Sequence, residues 1–128
     1  MSHRSRLAGF IIDCQDTALG SSAAFWSAAL GMPVVDADAG GSGRYAQLGD
    51  TPGSLHIEVQ TVEHLSRVHL DIESDDIEAE VRRLEALGAS RVAFVNARWW
   101  VMEAPTGHRF CVVPMKDEPG RPAPHHWD

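Results

Sequence analysis

The segment ALGMPV at residues 29–34 recurs as ALGASR at residues 86–91, and this repeat decides the fold. Each copy follows a stretch with apolar residues at helical spacing, which predicts a helix that ends at the glycine of the copy. Before each helix lies an apolar or alternating run typical of a β-strand, and after each copy come three more such runs separated by turns. The sequence therefore predicts a strand–helix–three-strand unit that is made twice.

The first half of the chain is predicted to contain strands at residues 7–14, 33–37, 44–49 and 54–60. Its helix, at residues 17–30, carries an apolar face that includes Trp26, and we expect both Trp26 and its neighbour Phe25 to be buried. Asp16 is a residue type that caps the starts of helices, and Gly31 is one that ends them. We therefore expect Asp16 to be the N-cap and Gly31 to end the helix.

The second half repeats this order, with strands predicted at residues 67–73, 89–95, 98–103 and 109–115. Asp75 followed by Glu78 resembles a capping box, so we expect Asp75 to begin a helix that Gly88 ends. Because strand residues alternate between the two faces of a sheet, Leu70 and Ile72 are expected to face this helix together. The two halves then form two βαβββ modules.

Length and composition favour one compact domain at residues 1–128, made of modules at 6–60 and 67–115 and a tail at 116–128. The tail contains three prolines, and we expect no regular structure in it. A net charge of −7 disfavours nucleic acid as a partner, because phosphate binding needs clustered Lys and Arg. The same charge is compatible with a cationic small molecule.

The two cysteines, Cys14 and Cys111, form no C-x-x-C pair and are too few for a disulfide framework, which favours a reduced, cytoplasmic protein. The sequence contains no run of about 18 apolar residues, so we expect no membrane span. With nucleic acid and membrane both disfavoured, a small molecule is the expected partner.

Polar residues alternate with apolar ones along two of the predicted strands. His56, Glu58 and Gln60 share one face of the strand at 54–60, and His69 and Asp71 share one face of the next strand. The apolar residues of these strands suit a helix, so the polar residues must line a hydrated space. Two such polar faces turned toward each other would enclose a cleft.

Three segments resemble the vicinal oxygen chelate superfamily, which includes glyoxalase I, bleomycin-resistance proteins and extradiol dioxygenases. They are Ala24-Phe25-Trp26 with the first repeat copy, Val68-His69-Leu70-Asp71-Ile72 with Asp75-Asp76-Ile77, and the stretch from Glu103 to Phe110. The last of these resembles the acid-x-Pro-x-Gly-x-x-Phe turn before the final strand of the family. The resemblance covers residues 6–115 and is nearest to small bacterial glyoxalase-like proteins.

The resemblance implies an α+β fold of two βαβββ modules, with curved mixed sheets enclosing a cleft and one helix packed on the outside of each; it also implies a homodimer. In metal-dependent members four strands each supply one ligand, and those places correspond to Gly9, Glu58, His69 and Cys111. Gly9 has no donor atom and Cys111 replaces a carboxylate. We therefore expect no cofactor, and a divalent metal on Glu58, His69 and Cys111 is the alternative.

Within the expected cleft, Glu58 and His69 are the candidate catalytic residues, with Glu58 as general base and His69 as the group that orients it. The candidate substrate-binding residues are Asp71, His56, Arg44, Trp99 and Trp100. Adjacent strand residues face opposite sides, so one of the two tryptophans packs on the helix and the other can enter the cleft. The sequence leaves open which one does so.

Several functions are consistent with these residues. The leading one is a glyoxalase-like protein that binds a small molecule in its cleft, or a lyase or isomerase of that kind that needs no metal. One alternative is a metal-dependent glyoxalase- or dioxygenase-type enzyme that uses Glu58 and His69. Another is a drug-sequestering protein like those of bleomycin resistance, for which the acidic surplus and the tryptophan pair are the motivation.

Overall fold

The computed structural model of the chain describes residues 2–128 and confirms the α+β class predicted above. Its strands, numbered β1 to β9, are His3–Gln15, Val34–Asp36, Tyr45–Leu48, His56–Val62, Arg67–Ser74, Ser90–Val95, Trp99–Glu103, Arg109–Pro114 and His125–Trp127. Its helices, α1 and α2, are Leu19–Leu30 and Ile77–Ala86. Neither helix within residues 2–128 has the length and apolar character that crossing a membrane requires.

The chain divides into two compact units, each with one helix. The first, here called the α1 unit, is residues 9–68, and the second, the α2 unit, combines residues 69–128 with residues 2–8. The strand order is β2-β3-β4-β1 in the α1 unit and β6-β7-β8-β5 in the α2 unit. In each, the last pair is parallel and the others are antiparallel. Both units therefore have one strand arrangement, as the repeat predicts.

The core of the α1 unit consists of Ile12, Cys14, Leu48, Ile57 and Val59. Trp26 packs against this cluster as predicted, but Phe25 is 62% exposed, so its predicted burial is wrong. Neighbouring helix residues point about 100° apart, so the inward direction of Trp26 leaves Phe25 on the outer side. The two rings meet edge to face, with 5.0 Å between their centroids.

Helix α1 ends as predicted and begins differently. Gly31 caps its C-terminus with a φ of +69°, the left-handed conformation that favours glycine. The N-cap is Ala18, which makes no side-chain hydrogen bond, so the predicted cap Asp16 is wrong. The Asp16 N–H donates to the carbonyl of Val62 at 2.8 Å, which holds Asp16 against β4 and ahead of the helix.

The core of the α2 unit consists of Val81, Leu84, Met102, Phe110 and Val112. Ile72 packs against this cluster as predicted, whereas Leu70 is 51% exposed, which contradicts its predicted place under the helix. Helix α2 packs on β6, β7 and β8. The beginning of β5, where Leu70 lies, is therefore outside the area that the helix covers.

Helix α2 is capped by Asp76 instead of the predicted Asp75. The Asp76 carboxylate accepts a hydrogen bond from the backbone N–H of Ala79 at 3.1 Å. The Asp75 carboxylate instead accepts from the N–H of Arg4 at 2.7 Å and from its guanidinium at 2.9 Å, and these bonds lower the pKa of Asp75. The C-cap of the helix is Leu87, and Gly88, the predicted stop, follows it directly with a φ of +109°.

The tail contains a strand, so the prediction that it forms no regular structure is wrong. Strand β9 pairs antiparallel with the beginning of β1, where Trp127 lies opposite His3. The last proline, Pro124, precedes this segment, so its own N–H groups remain available for a ladder. The Trp127 indole donates to the Ser5 hydroxyl at 2.8 Å, and the Arg83 guanidinium lies 3.9 Å from the centre of its ring.

Candidate functional site

Three side chains that can bind a metal ion meet on the α2 unit. Asp71 of β5 lies opposite Cys111 of β8, while the adjacent pair Ile72 and Val112 packs with the core under α2. Asp71 and Cys111 therefore lie on the face that points away from the helix, and His69, two residues earlier on β5, shares it. One ligand atom from each of the three lies within 4.8 Å of the other two.

The donor set fits a borderline divalent ion such as Zn²⁺. An imidazole nitrogen, a carboxylate oxygen and a thiolate sulfur are the ligands that zinc takes, at about 2.0–2.3 Å. Ligand atoms around a tetrahedral ion of that size lie about 3.3–3.8 Å apart. The distance from His69 Nε2 to Asp71 Oδ1 is 3.6 Å, and both side chains are largely buried. Three protein ligands also leave one position for water or substrate, as in catalytic zinc sites.

A second polar face lies in the α1 unit, on β4. His56 and Glu58 are in contact there, with 3.0 Å between Nε2 and Oε1. The side-chain amide of Gln60, next along this face, donates to the hydroxyl of Tyr45 at 2.9 Å. The histidine that contacts Glu58 within its own unit is therefore His56. The predicted partner His69 belongs to the α2 unit, and its pairing with Glu58 stays a prediction.

The structure distinguishes the two adjacent tryptophans. Trp100 of β7 lies opposite Val112 and packs with it against the core under α2. Trp99 therefore points to the other face of the sheet, which is the face that carries Cys111. Arg44, the remaining predicted substrate contact, is exposed and precedes β3. Within the α2 unit, Trp99 shares a sheet face with the candidate metal ligands and Trp100 does not.

A buried ion cluster adjoins this face, and the sequence analysis missed it. Glu73, two residues after Asp71 on the same face of β5, lies 2.6 Å from the Arg6 guanidinium and 2.9 Å from that of Arg121. Arg6 also donates to two carbonyls of the tail, both at 2.7 Å, so the tail is fastened at this end of the face. The alternation of β5 contained the signal, because a buried carboxylate at Glu73 requires a cation.

Comparison with protein-family models supports the interpretation of the fold. Residues 9–113 match the model of the glyoxalase-like domain. The chain belongs to this family. The resemblance to the vicinal oxygen chelate superfamily is thereby confirmed. None of the curated proteins compared with this glyoxalase-like chain matches it significantly in sequence.

Solved structures with this glyoxalase-like fold come from several kinds of protein. A methylmalonyl-CoA epimerase from Mycobacterium tuberculosis is 19% identical, with a TM-score of 0.60, and the match covers 86% of this chain and 88% of that one. A glyoxalase/bleomycin resistance protein/dioxygenase superfamily member from Vibrio splendidus 12B01 is 15% identical, with a TM-score of 0.54 and coverage of 87% and 99%. An extradiol ring-cleaving dioxygenase from B. fuscum is 14% identical, with a TM-score of 0.55 and coverage of 88% and 33%. At these identities the likeness concerns the fold.

At Gly9 this glyoxalase-like chain departs from the ligand positions that the resemblance implies. A Cβ atom at residue 9 would lie 1.8 Å from the carbonyl oxygen of His56, because β1 and β4 pair directly there. A ligating side chain therefore cannot be introduced at this place without moving the backbone. The candidate donor set seen in the structure lies within one unit, where Asp71 joins His69 and Cys111.

Proposed function

We propose that this chain is a lyase or isomerase that acts on a small oxygenated molecule at the sheet face carrying His69, Asp71 and Cys111. The observation that supports this most is the approach of three ligating atoms to within 4.8 Å of one another. Titratable groups brought together and largely withdrawn from solvent are typical of active sites. The glyoxalase-like fold supports the same class of reaction by analogy.

In the proposed reaction His69 transfers the proton. Its Nε2 lies 3.6 Å from the nearer oxygen of the Asp71 carboxylate, and histidine is the side chain most often used for proton transfer near neutral pH. The ring can then take a proton from a carbon next to a carbonyl group and return it to the adjacent atom. Asp71 orients the ring, and partial exclusion of water strengthens the interaction between the two groups.

A borderline divalent ion would be held by the same three residues, whose donor set fits it. When bound, such an ion supplies a Lewis acid that polarises substrate oxygens. His69 is then occupied as a ligand, and proton transfer by Glu58 stays a prediction from the sequence. Within the α1 unit, the 3.0 Å contact with His56 orients the Glu58 carboxylate.

Proton exchange with deuterated solvent tests the proposal. A panel of small 2-hydroxy aldehydes and thiohemiacetals is incubated with wild type, His69→Ala and His64→Ala, and exchange beside the carbonyl group is followed by NMR. We expect wild type and His64→Ala to catalyse exchange and His69→Ala to be slower by at least about 100-fold, the usual contribution of a general acid–base group. His64 is the matched control because it lies exposed in the loop after β4. Equal rates in all three proteins would contradict the proposal.

A second candidate function is binding of a cationic aromatic molecule without chemistry. Two observations favour it: the indole of Trp99 lies on the same face as Cys111, and the chain carries a net charge of −7. A cation over an indole face gains up to about 2 kcal/mol when it is desolvated. We expect cationic aromatic antibiotics to raise the melting temperature of wild type and to raise that of Trp99→Ala less. A panel that shifts neither protein would argue against this function.

Two further expectations stay proposals. The sequence has only two cysteines, with no C-x-x-C pair, which supports a reducing compartment such as the cytoplasm. The homodimer is supported by the family resemblance.

A further inference from the structure

One nucleophilic side chain on the candidate face has no task in the metal-free reaction proposed above. That reaction uses His69 to move the proton and Asp71 to orient the ring, and it leaves the sulfur of Cys111 unassigned. Cys111 lies opposite Asp71 in the parallel pair of β5 and β8, and its Sγ lies within 4.8 Å of a ligating atom of Asp71 and one of His69. A thiol, an imidazole and a carboxylate are therefore brought together.

These three kinds of group are the ones that make a cysteine a catalytic nucleophile. A thiol beside an imidazole passes its proton to the ring as the sulfur attacks, and a carboxylate on the other side of the ring orients it. The distance of 3.6 Å from His69 Nε2 to Asp71 Oδ1 suits that role, since catalytic contacts often tighten only when substrate binds. Cysteine is also intrinsically very nucleophilic.

The other cysteine of the chain provides an internal comparison. Cys14 is buried in the apolar core of the α1 unit, and its S–H donates to the carbonyl of Ile12 at 3.6 Å. Cys111 is partly exposed and lies on the sheet face that points away from α2. A small molecule can therefore reach the sulfur of Cys111 but not that of Cys14. Access and a neighbouring imidazole are what distinguish reactive cysteines from structural ones.

The neighbours of Cys111 in the sheet restrict what its sulfur can attack. Asp71 of β5 lies on one side of Cys111, and Val101 of β7 lies on the other and is partly exposed. A carbon atom bonded to this sulfur would have polar groups on one side and an aliphatic side chain on the other. This arrangement suits a small aldehyde whose next carbon carries an oxygen and a short apolar group.

We propose that Cys111 is a catalytic nucleophile that binds a 2-oxoaldehyde covalently, so that the chain needs no external thiol. This inference rests on the metal-free proton transfer by His69 proposed above. The sulfur forms a bond to the aldehyde carbon while the C=O double bond becomes single. The thiol proton passes through His69 to the aldehyde oxygen, and the product is a hemithioacetal on Cys111.

The remaining steps balance without an added oxidant or reductant. His69 takes the proton from the carbon that carries the sulfur and delivers it to the next carbon, while the hydroxyl proton moves to the oxygen of that next carbon. The first carbon is thereby oxidised and the second reduced, which gives a thioester of a 2-hydroxy acid. Water then adds to the thioester carbonyl, the C–S bond breaks with its electron pair on sulfur, and a proton from water restores the thiol.

Turnover of methylglyoxal in deuterated buffer, without added thiol or metal, tests the proposal by NMR. Wild type and the matched control Cys14→Ala, which removes the buried thiol, should form lactate that carries deuterium beside the carboxylate. Cys111→Ala should be slower by at least about 1,000-fold, because loss of a nucleophile removes the whole covalent route. Peptide mapping after an acid quench should find a lactoyl group on Cys111 of wild type and none on Cys14.

Added 2-mercaptoethanol separates this proposal from the proposed reaction on which it rests. The thiol forms a hemithioacetal with methylglyoxal and so brings its own sulfur, for which Cys111→Ala leaves space. Cys111→Ala should then regain turnover, a rescue that a merely structural role of Cys111 would not give. Wild type that turns over methylglyoxal only with 2-mercaptoethanol, or forms lactate without a lactoyl group on Cys111, overturns the nucleophile and leaves proton transfer by His69 standing. Wild type that is inactive with and without the thiol contradicts the proposed reaction itself.

Discussion

The two helices belong to the two copies of the repeat, but they differ in charge and in capping. Helix α1 has no charged residue and no side-chain cap, whereas half of the ten residues of α2 are charged and Asp76 caps its start. The strands beneath them follow one order in both units. The repeat therefore specifies the backbone of each unit, while the helices differ in charge and in capping.

The buried side of α2 also differs from the buried side of α1. Glu80 is completely buried, and its carboxylate accepts hydrogen bonds from His3 at 2.8 Å and from Arg83 at 2.8 and 2.7 Å. Burial would raise the pKa of Glu80, but the bonds from Arg83, His3 and Ser5 outweigh it and hold the pKa below its usual value. Helix α2 thus carries a buried charge, whereas Ala23 is the only buried residue of α1.

The largest expected effect on stability is in the α1 unit. Gly9→Ala should lower the free energy of unfolding by about 3 kcal/mol, because its Cβ would overlap the backbone of His56 and force β1 from β4. Gly20→Ala in α1 is the matched control, since a Cβ there meets nothing within 4 Å. It should instead stabilise the helix by up to about 1 kcal/mol. Urea denaturation measures the free energy of unfolding of both variants. Equal changes in Gly9→Ala and Gly20→Ala would contradict the explanation that a Cβ at residue 9 overlaps the backbone of His56.

In the α2 unit, Glu80→Gln should lower the free energy of unfolding by about 2 kcal/mol. This loss is smaller than that expected for a fully buried ion pair, because Arg83 is partly exposed to solvent. The pKa of Glu80 is lowered in the folded state, so its contribution is present at neutral pH and is lost as pH falls below about 4.5. The difference between wild type and Glu80→Gln should shrink over that range in urea titrations at several pH values. Glu78→Gln, on the exposed side of α2, should change stability by less than about 0.5 kcal/mol. If Glu78→Gln lowered the free energy of unfolding as much as Glu80→Gln does, the expected difference between the exposed and the buried side of α2 would be wrong.

A smaller effect is expected for the tail, which belongs to the α2 unit. Trp127→Ala removes the indole bond to Ser5 and the stacking on Arg83, and should cost about 1–2 kcal/mol. His126→Ala changes an exposed side chain of the same strand and should cost less than about 0.5 kcal/mol. Thermal unfolding followed by circular dichroism compares the two, and equal melting temperatures would mean that β9 is not held by its tryptophan.

The sequence predicts the fold because the repeat, the alternation and the helical spacing are local signals. The stop at Gly31 and the burial of Trp26 followed from them. Asp16 and Asp75 were expected to cap helices whose N-caps are Ala18 and Asp76. The Asp16 N–H donates to the Val62 carbonyl, and the Asp75 carboxylate accepts from the Arg4 N–H, so both residues are held in other contacts. Such bonds join residues far apart in sequence, and no local pattern contains them.

The candidate site could be predicted only in part, because it also depends on contacts between residues far apart in sequence. The alternation of polar and apolar residues along β5 predicts that His69 and Asp71 share one face of the sheet. Cys111 lies opposite Asp71 because β5 pairs with β8 in one particular register, and that register is a long-range property. Which tryptophan shares this face also depends on strand pairing, between β7 and β8. The alternation of β5 indicates that Glu73 needs a cation, but the choice of Arg6 and Arg121 as its partners is a long-range property as well.

Both forms of the proposed reaction depend on one central claim, that the ligating atoms of His69, Asp71 and Cys111 converge, and native mass spectrometry of freshly purified protein tests it directly. After equilibration with zinc, wild type should carry one ion per chain. Asp75→Asn, an aspartate that pairs with Arg4 in the same unit, should carry the same. Asp71→Asn and Cys111→Ser should bind zinc at least about 10-fold more weakly. A wild type that takes up no ion, or an Asp71→Asn protein that binds zinc as wild type does, would contradict the account.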